Sequence, residues 1–332
     1  MKKVMVTGGA GYKGCVLVPK LLGLGYEVIV YDLLLFGASG LPAHERLSVV
    51  QGDIRDTASY GRAVAGCDAV IHMACISNDP SFELDPELSK TINYDCFEPL
   101  IVASKNAGVW RFIYVSSSSV YGVSDAPEVT EDHPLVPLTD YNKYKGMCEP
   151  ILLRYQSADF TAVIVRPATV CGYSPRMRFD LTVNILTNHA VNRGAITVFG
   201  GAQKRPNIHI DDVTDLYVKL LEYPEHLVAG EIFNAGYENH TVAQLAQLAK
   251  AVVEREFPGN GNIEIQTTTT NDNRSYHVSS RKIAEKLGYR PSRTIEDAVE
   301  GLCSAFKSEK FPDSFSNDSY VNVKTVKNLS LR

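Results

Sequence analysis

Six short runs in the first half of the chain, at 4–7, 27–31, 47–51, 69–72, 112–116 and 161–166, are apolar at nearly every position and alternate with segments long enough to form helices. A strand with one wet face would alternate apolar and polar residues, so continuous apolar runs imply strands covered on both sides. The alternation predicts an α/β fold, a doubly wound parallel sheet with helices on both faces. After Pro167 the pattern loosens into loops containing Gly, Pro and Arg around a helix at 179–192, which implies a smaller C-terminal lobe. A helix at 211–221 and a strand at 231–234 return to the first unit, and Thr241-x-x-Gln244 reads as a capping box opening a helix toward Arg255. A helix at 295–306 closes the ordered part. The polar, Asn- and Ser-rich residues 311–332 form either a mobile tail or a docking arm.

Composition removes several function classes. Lys plus Arg number 33 against 38 Asp plus Glu, a net charge of −5, and no stretch gathers the basic patch that a nucleic acid partner requires. No apolar run approaches the ~18 residues of a membrane span. The opening MKKVMVTGGAGYKG has too short an apolar stretch for a signal peptide, so no membrane partner and a cytoplasmic location are expected. Seven cysteines, at 15, 67, 75, 96, 148, 171 and 303, include no Cys-x-x-Cys and sit mostly in apolar segments. They are expected as reduced core residues, with no metal.

The first run feeds directly into Gly8-x-x-Gly11-x-x-Gly14, with Tyr12 and Lys13 between the last two glycines, and then into a helix at 15–22. Glycines at a strand-to-helix turn let the backbone approach a pyrophosphate, whose charge faces the open N–H groups of the helix. Asp32 stands at the end of the second strand, 18 residues after Gly14, where a carboxylate accepts both ribose hydroxyls and repels a 2′-phosphate. NAD is therefore the cofactor implied. Lys13 is a candidate contact to the pyrophosphate or, less in keeping with Asp32, to a 2′-phosphate. Gly52-Asp53-Ile54 after the third run is placed to meet the adenine. The first unit is thus Rossmann-type. The expected division is a dinucleotide-binding domain at 1–170 with returning segments near 207–236, a smaller substrate lobe at 171–206 and 237–310, and the tail or arm.

Tyr141 and Lys145 stand four apart on a helix begun near Thr139, hence on one face. A phenol titrates near about 10, so to act as a base at neutral pH it needs positive charge beside it. An ammonium and an oxidised nicotinamide both supply that. The fifth run ends in Ser116-Ser117-Ser118-Ser119-Val120-Tyr121-Gly122, whose hydroxyls lie at the carboxyl end of a parallel strand, where the cofactor cleft opens.

With its motifs in this order the chain resembles the extended short-chain dehydrogenase/reductases, and among them the NAD-dependent sugar-nucleotide epimerase/dehydratase family, from residue 1 to about 308. The resemblance implies Ser117 as partner of the substrate hydroxyl, Tyr141 as acid/base and Lys145 as the cation holding the ribose. It implies further cofactor contacts at Gly8, Gly11, Tyr12, Lys13, Gly14, Asp32, Asp53, Ile54, Asn93 and Pro167. Lys13 stands where the family has an aliphatic residue, and Tyr144 where it has a small serine. Family dehydratases carry Asp-Glu directly after the catalytic threonine, and decarboxylases a Glu before Val-Tyr-Gly. Here those positions are Ser118 and Ser119, which cannot serve as acid and base near neutral pH. What remains is reversible hydride transfer: C4 epimerisation of a nucleotide-diphosphate hexose or hexuronate through a transient 4-keto intermediate. A nucleotide-4-ketosugar reductase, a dehydratase and a non-catalytic NAD-binding regulatory protein are the alternatives. Substrate contacts are expected at Ser118, Ser119, Arg178, Arg205 and Arg274, the arginines suiting a diphosphate. His72, and His209 beside Asp211-Asp212, read as structural. Relatives pair as homodimers through two helices, here 84–106 and 141–156, with Leu100, Ile101, Ile151 and Leu152 as the expected contacts.

Overall fold

The computed structural model describes residues 2–270 and 275–328. In chain order the strands of the described residues are β1 (Lys3–Thr7), β2 (Glu27–Asp32), β3 (Leu47–Gln51), β4 (Ala69–His72), β5 (Arg111–Val115), β6 (Thr161–Pro167), β7 (Thr169–Cys171), β8 (Ala195–Phe199), β9 (Lys204–His209), β10 (Glu231–Ala235), β11 (Glu238–Thr241) and β12 (Glu264–Thr268). Seven of them form one sheet in the order β3-β2-β1-β4-β5-β6-β10, with every neighbouring pair parallel. The order reverses between β1 and β4, and in such sheets a crevice opens beyond the carboxyl ends of the strands at that reversal.

Successive residues of a strand face opposite sides, and β1 uses both. Val4 and Val6 pack with Leu17 and Leu216 on one face of the sheet, and Met5 packs with Phe97 and Leu152 on the other. At the reversal Thr7 Oγ1 lies 2.9 Å from His72 Nδ1 and accepts the Met73 and Ala74 amides at 3.2 and 3.3 Å. Burial, with Lys145 adding repulsion, holds His72 neutral by lowering it from 6.5 to about 3. The expectation that every run is covered on both sides fails at β3. It is the sheet edge, no residue of it is fully buried and Val49 is 40% exposed.

Two sequence expectations for helices need correction. The segment 84–106 is not one helix. It runs as Pro86–Lys90, a wide π-type turn Thr91–Asp95, and Phe97–Asn106, and the wide turn aims Asn93 inward. Such turns recur where a helix must re-aim a side chain. The second helix is Asp140–Leu153, started by Thr139, whose hydroxyl caps the Asn142 amide, and it stops short of Gln156. Leu100, Ile101 and Leu152 are completely buried and Ile151 is 9% exposed, all within the protomer, so they belong to the core beneath the sheet and are not contacts to a second copy.

The second lobe packs helices Thr182–Arg193, Val242–Glu256 and Ile295–Lys307 around Leu186, Leu245, Val252 and Val299, beside the parallel pair β12-β8. The capping box is present: Gln244 N donates to Thr241 Oγ1 at 3.2 Å and Thr241 N to Gln244 Oε1 at 2.8 Å. The helix expected from 179 begins three residues later. Phe179 instead joins Phe306, Phe311 and Tyr320 in an aromatic cluster. That cluster fastens the C-terminal segment. Phe311 is 7% exposed, the Phe179 amide donates to the Tyr320 carbonyl at 2.8 Å, and a further helix, Asn322–Asn328, comes after it. The ordered part therefore does not close with the Ile295–Lys307 helix. Among the described residues no helix is long and apolar enough to cross a membrane, and no three His, Cys, Asp or Glu side chains are grouped for a metal. His209 caps the helix Ile210–Glu222, its Nδ1 accepting the Asp211 amide at 3.0 Å.

Candidate active site

A cavity of about 550 Å³ runs along the carboxyl ends of the central strands, from Asp32 at one end to Arg205 and Tyr276 at the other. Its floor at the Asp32 end is the Gly8–Gly14 turn. Gly8 has φ +71°, and a Cβ there would lie 2.8 Å from the Ala74 backbone, while one on Gly14 would collide with the Gly9 carbonyl. The first glycine lets the loops after β1 and β4 close on each other, and the third lets the helix Gly14–Gly23 start against the turn. No side chain caps that helix, and its Cys15 and Val16 amides donate to the Gly11 and Lys13 carbonyls at 3.0 and 3.2 Å, so what the turn offers an anion is the positive end of the helix dipole. Asp32 accepts the Ala10 amide at 3.0 Å and the Leu34 amide at 2.8 Å. Burial raises its carboxyl, and the two amides and the nearby Arg176 act against that. A cradle that a Cβ would fill, a helix N-terminus without a side-chain cap and a carboxylate at the end of β2 together fit a dinucleotide.

Not every expected cofactor residue faces this cavity. Gly52 and Ile54 line it, but Asp53 does not, because its carboxylate is bound by Arg55 two residues on, with Nη2 to Oδ2 at 2.6 Å. Asn93 does not line it either. Its amide clamps Ile76, donating to the Ile76 carbonyl at 2.9 Å and accepting its amide at 2.8 Å, so it shapes the wall from behind. Pro167 lines the cavity, whereas Arg166 turns away into a buried ion pair with Glu149 at 2.5 Å, extended by Ser116 and Tyr121.

At the other end Ser117 Oγ lies 2.7 Å from Ser119 Oγ, which donates to Asn142 Oδ1, and Ser118, 1% exposed, lies 3.4 Å from the Tyr276 hydroxyl. Lys145 Nζ donates to the Val115 carbonyl at 3.0 Å, fixing the ammonium at the end of β5. Tyr141 lines the same wall. Burial pushes its phenol well up, Cys75 and Asp79 add to that, and Arg178 opposes it. The expected lowering by Lys145 is thus not realised by the protein alone, and the phenol is a neutral acid. Burial brings Lys13 down to about 7, with repulsion from Lys145 and Arg178 in the same direction and Cys75 opposing. Its charged neighbours are those of the Tyr141 end and do not include Asp32. Arg178 forks onto Asp180, Nε and Nη2 each at 2.9 Å, and reaches Ser77 Oγ at 3.3 Å. Arg205, 9% exposed, lines the second-lobe wall. Arg274 lies outside the described residues.

The sequence pattern of the NAD dependent epimerase/dehydratase family matches residues 4–236. The chain belongs to that family. Over 329 residues it is 28% identical to a UDP-glucose 4-epimerase of Lactobacillus helveticus, covering 93% of this chain and 97% of the relative. It is equally 28% identical, over 309 residues, to a dTDP-glucose 4,6-dehydratase of Streptomyces griseus, covering 89% and 91%. Among solved structures the dTDP-glucose 4,6-dehydratase DesIV of Streptomyces venezuelae, with NAD bound, superposes with a TM-score of 0.81 at 25% identity, over 93% of this chain and 98% of that one. NAD is the cofactor of this epimerase/dehydratase family member.

Asp79, Tyr276, Arg176 and Asn322 line the cavity of this family member and were not among the expected contacts. Asp79 accepts from Thr139 Oγ1 at 2.5 Å, and Tyr276 reaches Ser118. Arg176 and Asn322 meet at 2.6 Å. Arg176 carried a signal, since it opens Arg176-x-Arg178-x-Asp180. Asn322, in a polar terminus, carried none.

Proposed function

We propose that the chain is an NAD-dependent C4 epimerase acting on a nucleotide-diphosphate hexose or hexuronate. The observation that carries this reading is the pair of hydroxyls just after Ser117, at Ser118 and Ser119, where elimination would need a carboxylate pair. Among the described residues the carboxylates lining the cavity are Asp32, Asp79 and Asp180. Asp32 lies at the cofactor end, Asp79 is held by Thr139 and Asn142, and Asp180 by Arg178 and Asn78. Loss of water across two sugar carbons needs an acid and a base for both, whereas oxidation and re-reduction at one carbon needs a single proton carrier. NAD, when bound, supplies the acceptor and donor of the C4 hydride.

Tyr141 carries the proton of the C4 hydroxyl: as phenolate, favoured when positive charge from Lys145 and a bound oxidised nicotinamide stands beside it, it would take that proton, and as the resulting neutral phenol it would return it. Lys145 holds the cofactor ribose and brings positive charge beside the phenol, while Ser117 directs the sugar hydroxyl toward Tyr141. Arg205 pairs with the sugar-nucleotide diphosphate, and Arg178 acts through Asp180. We further infer a homodimer through Phe97–Asn106 and Asp140–Leu153, on which Val102 and Met147 are exposed at 38% and 37%. A monomer mass by light scattering at micromolar concentration contradicts that. For the reaction, a panel of nucleotide-diphosphate hexoses and hexuronates monitored by NMR is expected to give interconversion of C4 epimers. A 4-keto-6-deoxy product would replace the reading by a dehydratase. Net consumption of reduced cofactor with a 4-keto sugar would replace it by a reductase.

A further inference from the structure

The segment that leads out of β7 is strapped to the glycine turn. Tyr12 donates its hydroxyl to the Gly172 carbonyl at 2.7 Å, Ser174 Oγ donates to the Tyr12 carbonyl at 2.8 Å, and the Arg176 amide donates to Ser174 Oγ at 3.3 Å. A Cβ on Gly40 would meet Cys15 Sγ at 2.7 Å and the Arg176 amide at 3.3 Å, so the loop after β2, the first turn of the Gly14–Gly23 helix and Arg176 converge. Arg176, 8% exposed, lays its guanidinium 3.6 Å over the Phe36 ring and lines the cavity.

This guanidinium lacks a counter-ion. Its Nε has no hydrogen-bond partner, and among the described residues no carboxylate lies within ion-pair distance of it, although Asp32 and Asp180 are near enough to attract it. Its Nη2 donates to Asn322 Oδ1 at 2.6 Å. Asn322, 5% exposed, also donates its Nδ2 to Ser77 Oγ at 2.8 Å and its amide to Asp180 Oδ2 at 3.3 Å. A buried cation without an anion is costly, and one that lines a ligand cavity is an anion site in waiting. The position identifies the anion: the start of a helix that binds the dinucleotide's diphosphate.

We propose that Arg176 and Asn322 form a latch over the cofactor, in which the guanidinium binds the dinucleotide diphosphate and Asn322 holds that guanidinium in plane while fastening the C-terminal arm across the cavity. The sugar nucleotide also carries a diphosphate. The cofactor's is the one assigned, because Arg176, besides Arg178 and Asp180, lies against Cys15, Phe36 and Asp32 on the glycine-turn side. A planar fork matches a diphosphate in a way a point charge does not.

Calorimetric titration of nucleotide-free protein with NAD, ADP-ribose, UDP and dTDP separates these sources. Arg176→Met is expected to weaken NAD and ADP-ribose by about tenfold or more and to leave UDP and dTDP within about twofold. If that variant does not fold, Arg176→Lys decides: it keeps the charge, loses the fork, and is expected to weaken NAD severalfold. Bound NAD is expected to slow tryptic cleavage at the exposed Lys307 and Lys310, and Asn322→Ala is expected to weaken NAD severalfold and to abolish that protection. Unchanged NAD affinity in the Arg176 variants, loss of UDP or dTDP binding in place of NAD binding, or NAD protection persisting in Asn322→Ala each overturns the latch.

Discussion

At the Asp32 end of the cavity the groups that face a ligand are mostly backbone: the glycine turn, the uncapped N-terminus of the Gly14–Gly23 helix, and a carboxylate steadied by two neighbouring amides. At the Tyr141 end they are side chains drawn from β5, the Asp140–Leu153 helix and the second lobe, positioned by other groups of the protein. The first construction is local in sequence and intolerant of bulk. The second is assembled over long separations and is open to retuning one contact at a time. This difference accounts for a family in which NAD is constant while the relatives include both epimerases and dehydratases.

The contrast is broken most severely at its chemical centre. Tyr141→Phe is expected to lower kcat by about a thousandfold or more while NAD affinity, measured by titration, stays within about twofold. Next comes the frame behind the Tyr141 end. Arg166→Met leaves the Glu149 charge buried alone and is expected to cost about 3–5 kcal/mol in urea unfolding. The Glu149→Leu, Arg166→Met pair is expected to recover much of that. Gly8→Ala tests the backbone-built end, since its methyl meets the Ala74 backbone at a positive φ. It is expected to weaken NAD by about tenfold or more, from strain of ~1–3 kcal/mol. Arg205→Ala is the mirror experiment. It is expected to raise KM for the sugar nucleotide by about tenfold with NAD affinity unchanged, and equal losses in both would erase the contrast.

A further effect concerns pH and belongs to the frame alone. The fold keeps His72 neutral down to about 3, while the unfolded chain protonates it near 6.5. The unfolded state thus binds more protons between these values, so stability falls as pH drops through that window, by up to ~1.4 kcal/mol per pH unit. His72→Gln is expected to flatten urea stability between pH 6.5 and 5.

The same division separates the residues legible in the sequence from those that were not. The strand runs, the glycine turn, Asp32 and the Thr241–Gln244 box are fixed by residues close in the chain, and they stand where the pattern puts them. Asp53 was misplaced by a competitor two residues away, because Arg55 takes its carboxylate. Leu100, Ile101, Ile151 and Leu152 were misassigned because apolar residues on a helix do not declare which neighbour they cover, and here it is the sheet. Arg176 and Asn322 meet across 146 residues, and only the folding of the terminal arm brings them together.

The proposed reaction is tested most directly by turnover in deuterated water with the sugar protons observed by NMR. In the proposed reaction, with Ser118 and Ser119 in place of a carboxylate pair, C4–H is the one C–H bond that breaks, and the hydride that leaves C4 is the one that returns. The expected product is epimerised at C4, retains its original C4 hydrogen and carries no solvent deuterium at C5. Deuterium at C5 would contradict the C4 epimerase, since it requires proton exchange at a carbon that C4 epimerisation leaves untouched.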